Sequence, residues 1–224
     1  MIKDRIAGLI VEEYDDVLES LSRRGLLRDA RPLIPFEYGR STVLSWDRAP
    51  KLSYLFETFT SLDHYCTILD KQDFSICFID GGVVQITYVV SNGEISSHRL
   101  CYFPCPFSFD PKDLEHFALS ELPATFTSDE LRAEIRLVTP IRFDFDIDTL
   151  DERHSHSHIT INQDSCRVPA YGPVSLGHFF NFILRYFYES EFSSPFAWEG
   201  PRPRITRRTL SHPAPHELHV ESSI

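Results

Sequence analysis

The stretch 74–104 constrains this chain more than any other. "FSICFID", "VVQITYVV" and "ISSHRLCYFP" are three runs rich in β-branched and aromatic residues, separated by Gly81-Gly82 and by Ser91-Asn92-Gly93-Glu94. Runs of this length joined by glycine-bearing turns read as an antiparallel meander. Gly81-Gly82 is adequately explained as a hairpin turn. Pro104, Pro106 and Pro111 end the meander, because proline cannot donate to a strand ladder.

A second sheet-forming stretch follows. "TPIRFDFDI" and "SHITIN" alternate strictly, and "CRVPA" is a short strand ending at Pro169. Around these lie helical patterns. Residues 2–24 place Ile6, Leu9, Ile10, Tyr14, Val17, Leu18 and Leu21 at helical spacing, with acids on the other face and Gly25 as the stop. Residues 175–192 repeat apolar positions at 176, 179, 180, 183, 184 and 187, which predicts a buried helix capped by Ser175, with Phe179 and Phe187 in the core. Replacing Phe187 is expected to unfold the protein, and replacing Asp144 to leave the fold intact. "DPKDLEHFAL" reads as a short helix with Asp110 as N-cap, and "TSDELRAEI" as another capped by Thr127 or Ser128. Residues 30–51 suggest extended chain or short strands, and 52–71 a second helix.

The expected architecture is therefore α+β: one domain over 1–194, with a mainly antiparallel sheet packed by helices on one face. From Pro195 the composition turns to Pro, Arg, His and Ser, and 195–224 is expected to trail as an irregular tail.

Composition narrows the function classes. A formal net charge of −11 argues against a surface that tracks phosphate backbones as a whole. A local patch, Arg202, Arg204, Arg207 and Arg208, is the one place where nucleic acid would be met; a solvated basic segment is the plainer explanation. Acids interrupt the apolar runs near the N-terminus, and no stretch approaches the ~18 apolar residues of a membrane span. Five cysteines, an odd number without a CxxC pair, suit a reducing compartment. The expectation is a cytoplasmic protein without disulfides or membrane contact.

The chemistry concentrates in "RFDFD" and "HSHSH". Alternation sends Phe143, Phe145 and Ile147 one way and Arg142, Asp144 and Asp146 the other. In the next strand Ile159 and Ile161 point inward, so His156, His158 and Thr160 point outward. If the two strands pair, acids and histidines share a surface. Asp144, Asp146, His156 and His158 could then hold a divalent metal, or Asp144, Asp146 and His158 could do acid–base work. The bland alternative is a solvated face with weak cross-strand pairs.

Other features are weaker. His178 reads as a core or boundary histidine, and His98 and Arg99 flank the sheet. Cys166 beside Arg167 raises the question of an activated thiol, against an inert one in a short strand. The chain carries no GxGxxG, Walker A or GxSxG motif.

"SHRLCYFPCP", "IRFDFDID", "SHSHITINQDSCRVPAYGPVS" and "FFNFILRYFY" together resemble, in order and spacing, a family of uncharacterised bacterial proteins. The resemblance spans roughly 74–190, leaving out the helix 2–24 and the tail. It implies a bacterial, cytosolic protein and no reaction. It places weight on Arg142, Asp144, Asp146, Ser157, His158, Arg167 and Arg185, and less on His154 and His156. Families of this kind often sit in anti-phage or toxin–antitoxin cassettes, an analogy of setting alone.

Two functions stay open. The first is a non-catalytic interaction or regulatory module working with another protein subunit. The second is a metal-dependent hydrolase of a phosphate ester, nucleotide or nucleic acid. In that reading Asp144, Asp146 and His158 hold the ion, and Arg142, Arg167 or Arg185 steadies the substrate.

Overall fold

The computed structural model describes residues 4–47, 62–136, 138–148, 156–161, 166–170 and 172–188. Among these, nine strands form a single sheet in which the pairings are antiparallel. The strands are β1 (Leu27–Ala30), β2 (Ile34–Tyr38), β3 (Ser41–Ser45), β4 (Ile76–Phe78), β5 (Val83–Ser91), β6 (Glu94–Phe103), β7 (Ile141–Asp146), β8 (Ser157–Ile161) and β9 (Arg167–Pro169). Their order is β1-β4-β5-β6-β7-β8-β9. β3 lies on the same edge of β5 as β4, further along it, and β2 pairs with β3.

The meander read from 74–104 is β4, β5 and β6, and the second sheet-forming stretch continues it without a break. β2 and β3 are the short strands that 30–51 offered beside extended chain, and β1 lies at the edge of that stretch. The helices are α1 (Arg5–Arg23), α2 (Leu62–Asp70), α3 (Leu122–Thr125), α4 (Ser128–Glu134) and α5 (Leu176–Phe187), with a 3-10 turn at Pro111–Glu115. Only the second half of the helix expected over 52–71 falls on described residues, and it is α2.

The local rules explain the ends. Asp4 caps α1 by accepting the Ile6 and Ala7 N–H groups at 2.8 and 3.2 Å. Gly25, at φ 67°, stops it, and the Leu26 N–H reaches back to the Leu21 carbonyl at 3.0 Å. Thr127 and Glu130 form a capping box on α4, and Ser175 accepts the His178 N–H at 3.3 Å to cap α5.

Alternation along the strands separates two cores. Val84, Ile86, Tyr88, Leu100, Tyr102, Phe143, Phe145 and Ile159 face α1 and α5, which supply Ile10, Tyr14, Val17, Phe179, Phe180 and Ile183. The opposite face is not bare. Val83, Cys101 and Phe103 pack there with Tyr65 and Ile68 of α2 and with Phe107 and Leu122. The helices expected on one face thus have a smaller counterpart on the other. No helix among the described residues is long and apolar enough to cross a membrane.

Two side chains depart from the pattern. Glu13 lies on the apolar stripe of α1, between Ile10 and Val17. It is buried because its Oε1 accepts the Gly177 N–H, 3.0 Å away at the start of α5; an acid at a helix N-terminus also suits the helix dipole. Phe187 is 38% exposed, whereas Phe179 is fully buried. The apolar stripe of α5 continues to Phe187, yet there the ring leans on Tyr102 at the rim, 4.9 Å between centroids. The expectation of a core Phe187 is corrected; Tyr188 is the buried ring at this end.

Candidate functional site

The sheet face away from α1 and α5 carries two polar rows fixed by register. Thr87, Arg99, Asp144, His158 and Pro169 lie side by side across β5 to β9. Two residues along, Gln85, Cys101, Arg142, Thr160 and Arg167 form the second row. Neighbours across a sheet stand ~4.5–5.5 Å apart at Cβ, so each row is a line of side chains in reach of one another.

Asp144 ties the rows together. Its Oδ1 accepts the Arg99 Nε–H at 2.6 Å, and its Oδ2 accepts the Arg142 Nε–H at 2.6 Å. His158 Nε2 lies 3.6 Å from Oδ2, at the edge of contact. Side-chain exposure is only 10% for Asp144, 13% for Arg142, 14% for His158 and 18% for Arg99. Burial pushes the Asp144 pKa up, but the charges and hydrogen bonds of Arg99 and Arg142 overcome it and hold the carboxyl below its ordinary value.

Around Asp144 and its two arginines are buried polar groups without partners among the described residues, and one of them, Gln85 Oε1 in the second row, is an acceptor. Arg167 Nε, Thr160 Oγ1 and Thr87 Oγ1 are buried and make no hydrogen bond among the described residues. Thr160 lies between Arg142 and Arg167 in its row, and Thr87 lies beside Arg99. A buried donor left unmade costs ~1–3 kcal/mol. Such a cluster therefore favours something with oxygen acceptors.

The sequence-derived candidates divide. Asp144, His158, Arg142 and Arg167 share this face. Asp146 is exposed at the end of β7 and accepts the Asp148 N–H at 2.9 Å. His156 turns its Nδ1 to the Asp146 carbonyl oxygen, at 3.2 Å, rather than to a carboxylate. Arg185 is exposed on α5, across the sheet from Asp144, with its guanidinium carbon 5.8 Å from the Tyr186 ring centre. It does not join the constellation. His154 and the patch Arg202–Arg208 lie outside the described residues.

Of the quartet Asp144, Asp146, His156 and His158, the first and last stand together, while Asp146 and His156 make other contacts. Among the described residues no group of three or more His, Cys, Asp or Glu side chains is placed to hold an ion. Moreover, both oxygens of Asp144 are bonded to guanidinium groups, so a dication there would meet two positive charges.

Arg99 and Thr87 are absent from the candidates read in the sequence, and Thr160 is read there as outward-pointing without a role. Arg99 shares the face of Cys101 and Phe103 by simple alternation, so its direction was readable; its partner 45 residues away was not. His98, read as a flank, is instead buried among Tyr88 and Phe145, and its Nε2 accepts the Val174 N–H at 2.8 Å. Burial pushes its pKa down to about 4, with Asp144 resisting, so the ring is neutral at pH 7. Cys166 is exposed and free; the thiols of Cys77, Cys101 and Cys105 are buried, and burial raises the pKa of all three.

A family model of uncharacterised conserved proteins matches residues 28–222. The chain belongs to the DUF2290 family. The match takes in α5 and the nine strands except for Leu27 at the start of β1, and it extends into the region read as a tail. It leaves out α1, although Glu13 bonds α5 and Tyr14 donates to the Ser75 carbonyl at 2.9 Å. No curated protein and no solved structure matches this DUF2290 chain.

Proposed function

We propose that this protein is a non-catalytic binding module whose polar sheet face receives an anionic oxygen group, of the phosphate or carboxylate kind, from a partner protein. The observation that carries this reading is the strip Arg142–Thr160–Arg167, where a buried hydroxyl and a buried guanidinium nitrogen have no acceptor among the described residues. Two arginines around a hydroxyl suit a planar or tetrahedral oxyanion. Asp144 serves this site by orienting Arg99 and Arg142 through their Nε atoms.

The second reading, metal-dependent hydrolysis of a phosphate ester, draws support from His158 standing beside the same strip and from Arg167 within it. It asks Asp144 to exchange two guanidinium bonds for an ion, and so it stands behind the first.

Titration of the full chain with inorganic phosphate, followed by calorimetry and by melting temperature, tests the proposal. Phosphate is expected to bind and to raise the melting temperature by linkage. Thr160→Val and Arg167→Gln are each expected to weaken binding about tenfold, the scale of one charge-assisted hydrogen bond. No stabilisation by phosphate, acetate or a phosphoserine peptide would overturn it. Hydrolysis of a generic phosphate ester on addition of Mg²⁺, Mn²⁺ or Zn²⁺ would favour the second reading.

A further inference from the structure

A separate cavity of about 340 Å³ opens where β6 ends and β4 turns into β5. Tyr102, Cys105, Ile141 and Phe187 wall it, and Asp80 and Arg136 bring charge to it. It shares no residue with the Asp144 rows.

Asp80 is exposed yet held in place. Its Oδ1 accepts the Gly82 N–H and the Tyr188 hydroxyl, both at 2.9 Å. Tyr188 gives its one hydrogen to Asp80, so it accepts from the Tyr102 hydroxyl at 3.0 Å. This relay is buried and leaves no slack: a Cβ on Gly82 would stand 2.8 Å from the Tyr188 hydroxyl oxygen and 3.0 Å from that of Tyr102. Burial, then the neighbouring Tyr102 and Asp80, push the Tyr188 pKa far up, which keeps it a donor. Asp80 Oδ2 has no hydrogen-bond partner among the described residues.

Arg136 is arranged in a similar way. Its Nε donates to Ser108 Oγ at 2.8 Å, and its backbone N–H to the Pro106 carbonyl at 2.8 Å. Its terminal nitrogens have no partner among the described residues, and no ion pair joins it to Asp80. The cavity thus brings together a carboxylate and a guanidinium, each fixed on one side and open on the other. The Tyr102 and Phe187 rings, at 66° to one another, supply an aromatic wall.

We propose that this cavity binds a small zwitterion of amino-acid or dipeptide size, with its ammonium on Asp80, its carboxylate on Arg136 and its apolar part against Tyr102 and Phe187. A guanidinium fork takes a carboxylate through two parallel bonds, and a carboxylate beside aromatic rings suits an ammonium.

Calorimetric titration of the full chain tests this with L-phenylalanine, the dipeptide L-alanyl-L-phenylalanine, and the N-acetyl and C-amide forms of each. The free amino acid or the free dipeptide is expected to bind, and which one does sets the size of the ligand. Blocking either end should weaken binding about tenfold or more. Asp80→Asn keeps an acceptor for Gly82 and Tyr188; it should lose the same factor for the free form and almost nothing for the N-acetyl form. Arg136→Gln, on an exposed side chain, should behave likewise toward the C-amide. The proposal is overturned if neither free form binds, if blocked forms bind as well as free ones, or if Arg136→Gln leaves affinity unchanged.

Discussion

Arg99 and Asp144 stand directly opposite one another on β6 and β7, and the arginine Nε meets the carboxylate Oδ1 at 2.6 Å. With Arg142 on the other oxygen, one carboxylate holds two largely buried cations in place. Removing it is therefore different from removing an exposed acid. The sequence pattern, which places Asp144 on an outward face, leads to the expectation that Asp144→Ala folds normally. The burial of all three side chains reverses that. Asp144→Ala and Asp144→Asn should each lose about 3 kcal/mol, the scale of a buried pair deprived of one partner. Urea melts check this: the midpoint should fall while the slope stays constant. Wild-type midpoints for both variants would contradict it.

Stability should also depend on pH through His98. Its folded pKa is about 4 against an ordinary value of 6.5. Between these values the unfolded chain takes a proton that the folded chain refuses, so stability rises with pH across the window and falls on acidification through it. The full shift corresponds to about 3 kcal/mol. Below that window Asp144 takes over: its lowered pKa adds stability above its unfolded value and loses it as pH falls through the folded one. His98→Gln can still accept the Val174 N–H, and it should flatten the dependence between pH 4 and 6.5. Chemical denaturation at a series of pH values gives the comparison.

The two phenylalanines of α5 should separate clearly. Phe179 is fully buried, with its ring 5.4 Å from Phe143 and 5.2 Å from Phe180. Phe179→Ala should cost about 3–5 kcal/mol. Phe187→Ala, at a position 38% exposed, should cost less than half as much and leave soluble protein. Thermal melts of both variants under one condition decide it.

What could be read in advance follows from the range of each interaction. The ends of α1, α4 and α5 are set by residues within four positions of one another, and Asp4, Gly25, Thr127 and Ser175 act at those ends. The faces of β7 and β8 follow from alternation within single strands. Pairing across long separations does not. Between β6 and β7 lie a 3-10 turn and two short helices, so nothing local tells Arg99 that Asp144 is its neighbour. Glu13 misleads for a similar reason: an acid on an apolar stripe looks like an interruption until Gly177 supplies its hydrogen bond. Phe187 misleads in the other direction, because helical periodicity continues past the point where the sheet beneath it ends.

The bond between Glu13 and Gly177 also has a consequence for the order of synthesis. α1 leaves the ribosome before every strand of the sheet, and α5, against which it packs, is the last described element. The hydrogen bond joining them spans 164 residues. At ~5–20 residues per second, the nascent α1 waits about ten seconds or more before that partner exists. During that interval the β5–β6 hairpin, whose strands are separated by a two-residue turn, can already form. Nascent chains of this protein should therefore carry a paired centre and an α1 whose apolar face is incompletely covered until α5 has left the ribosome.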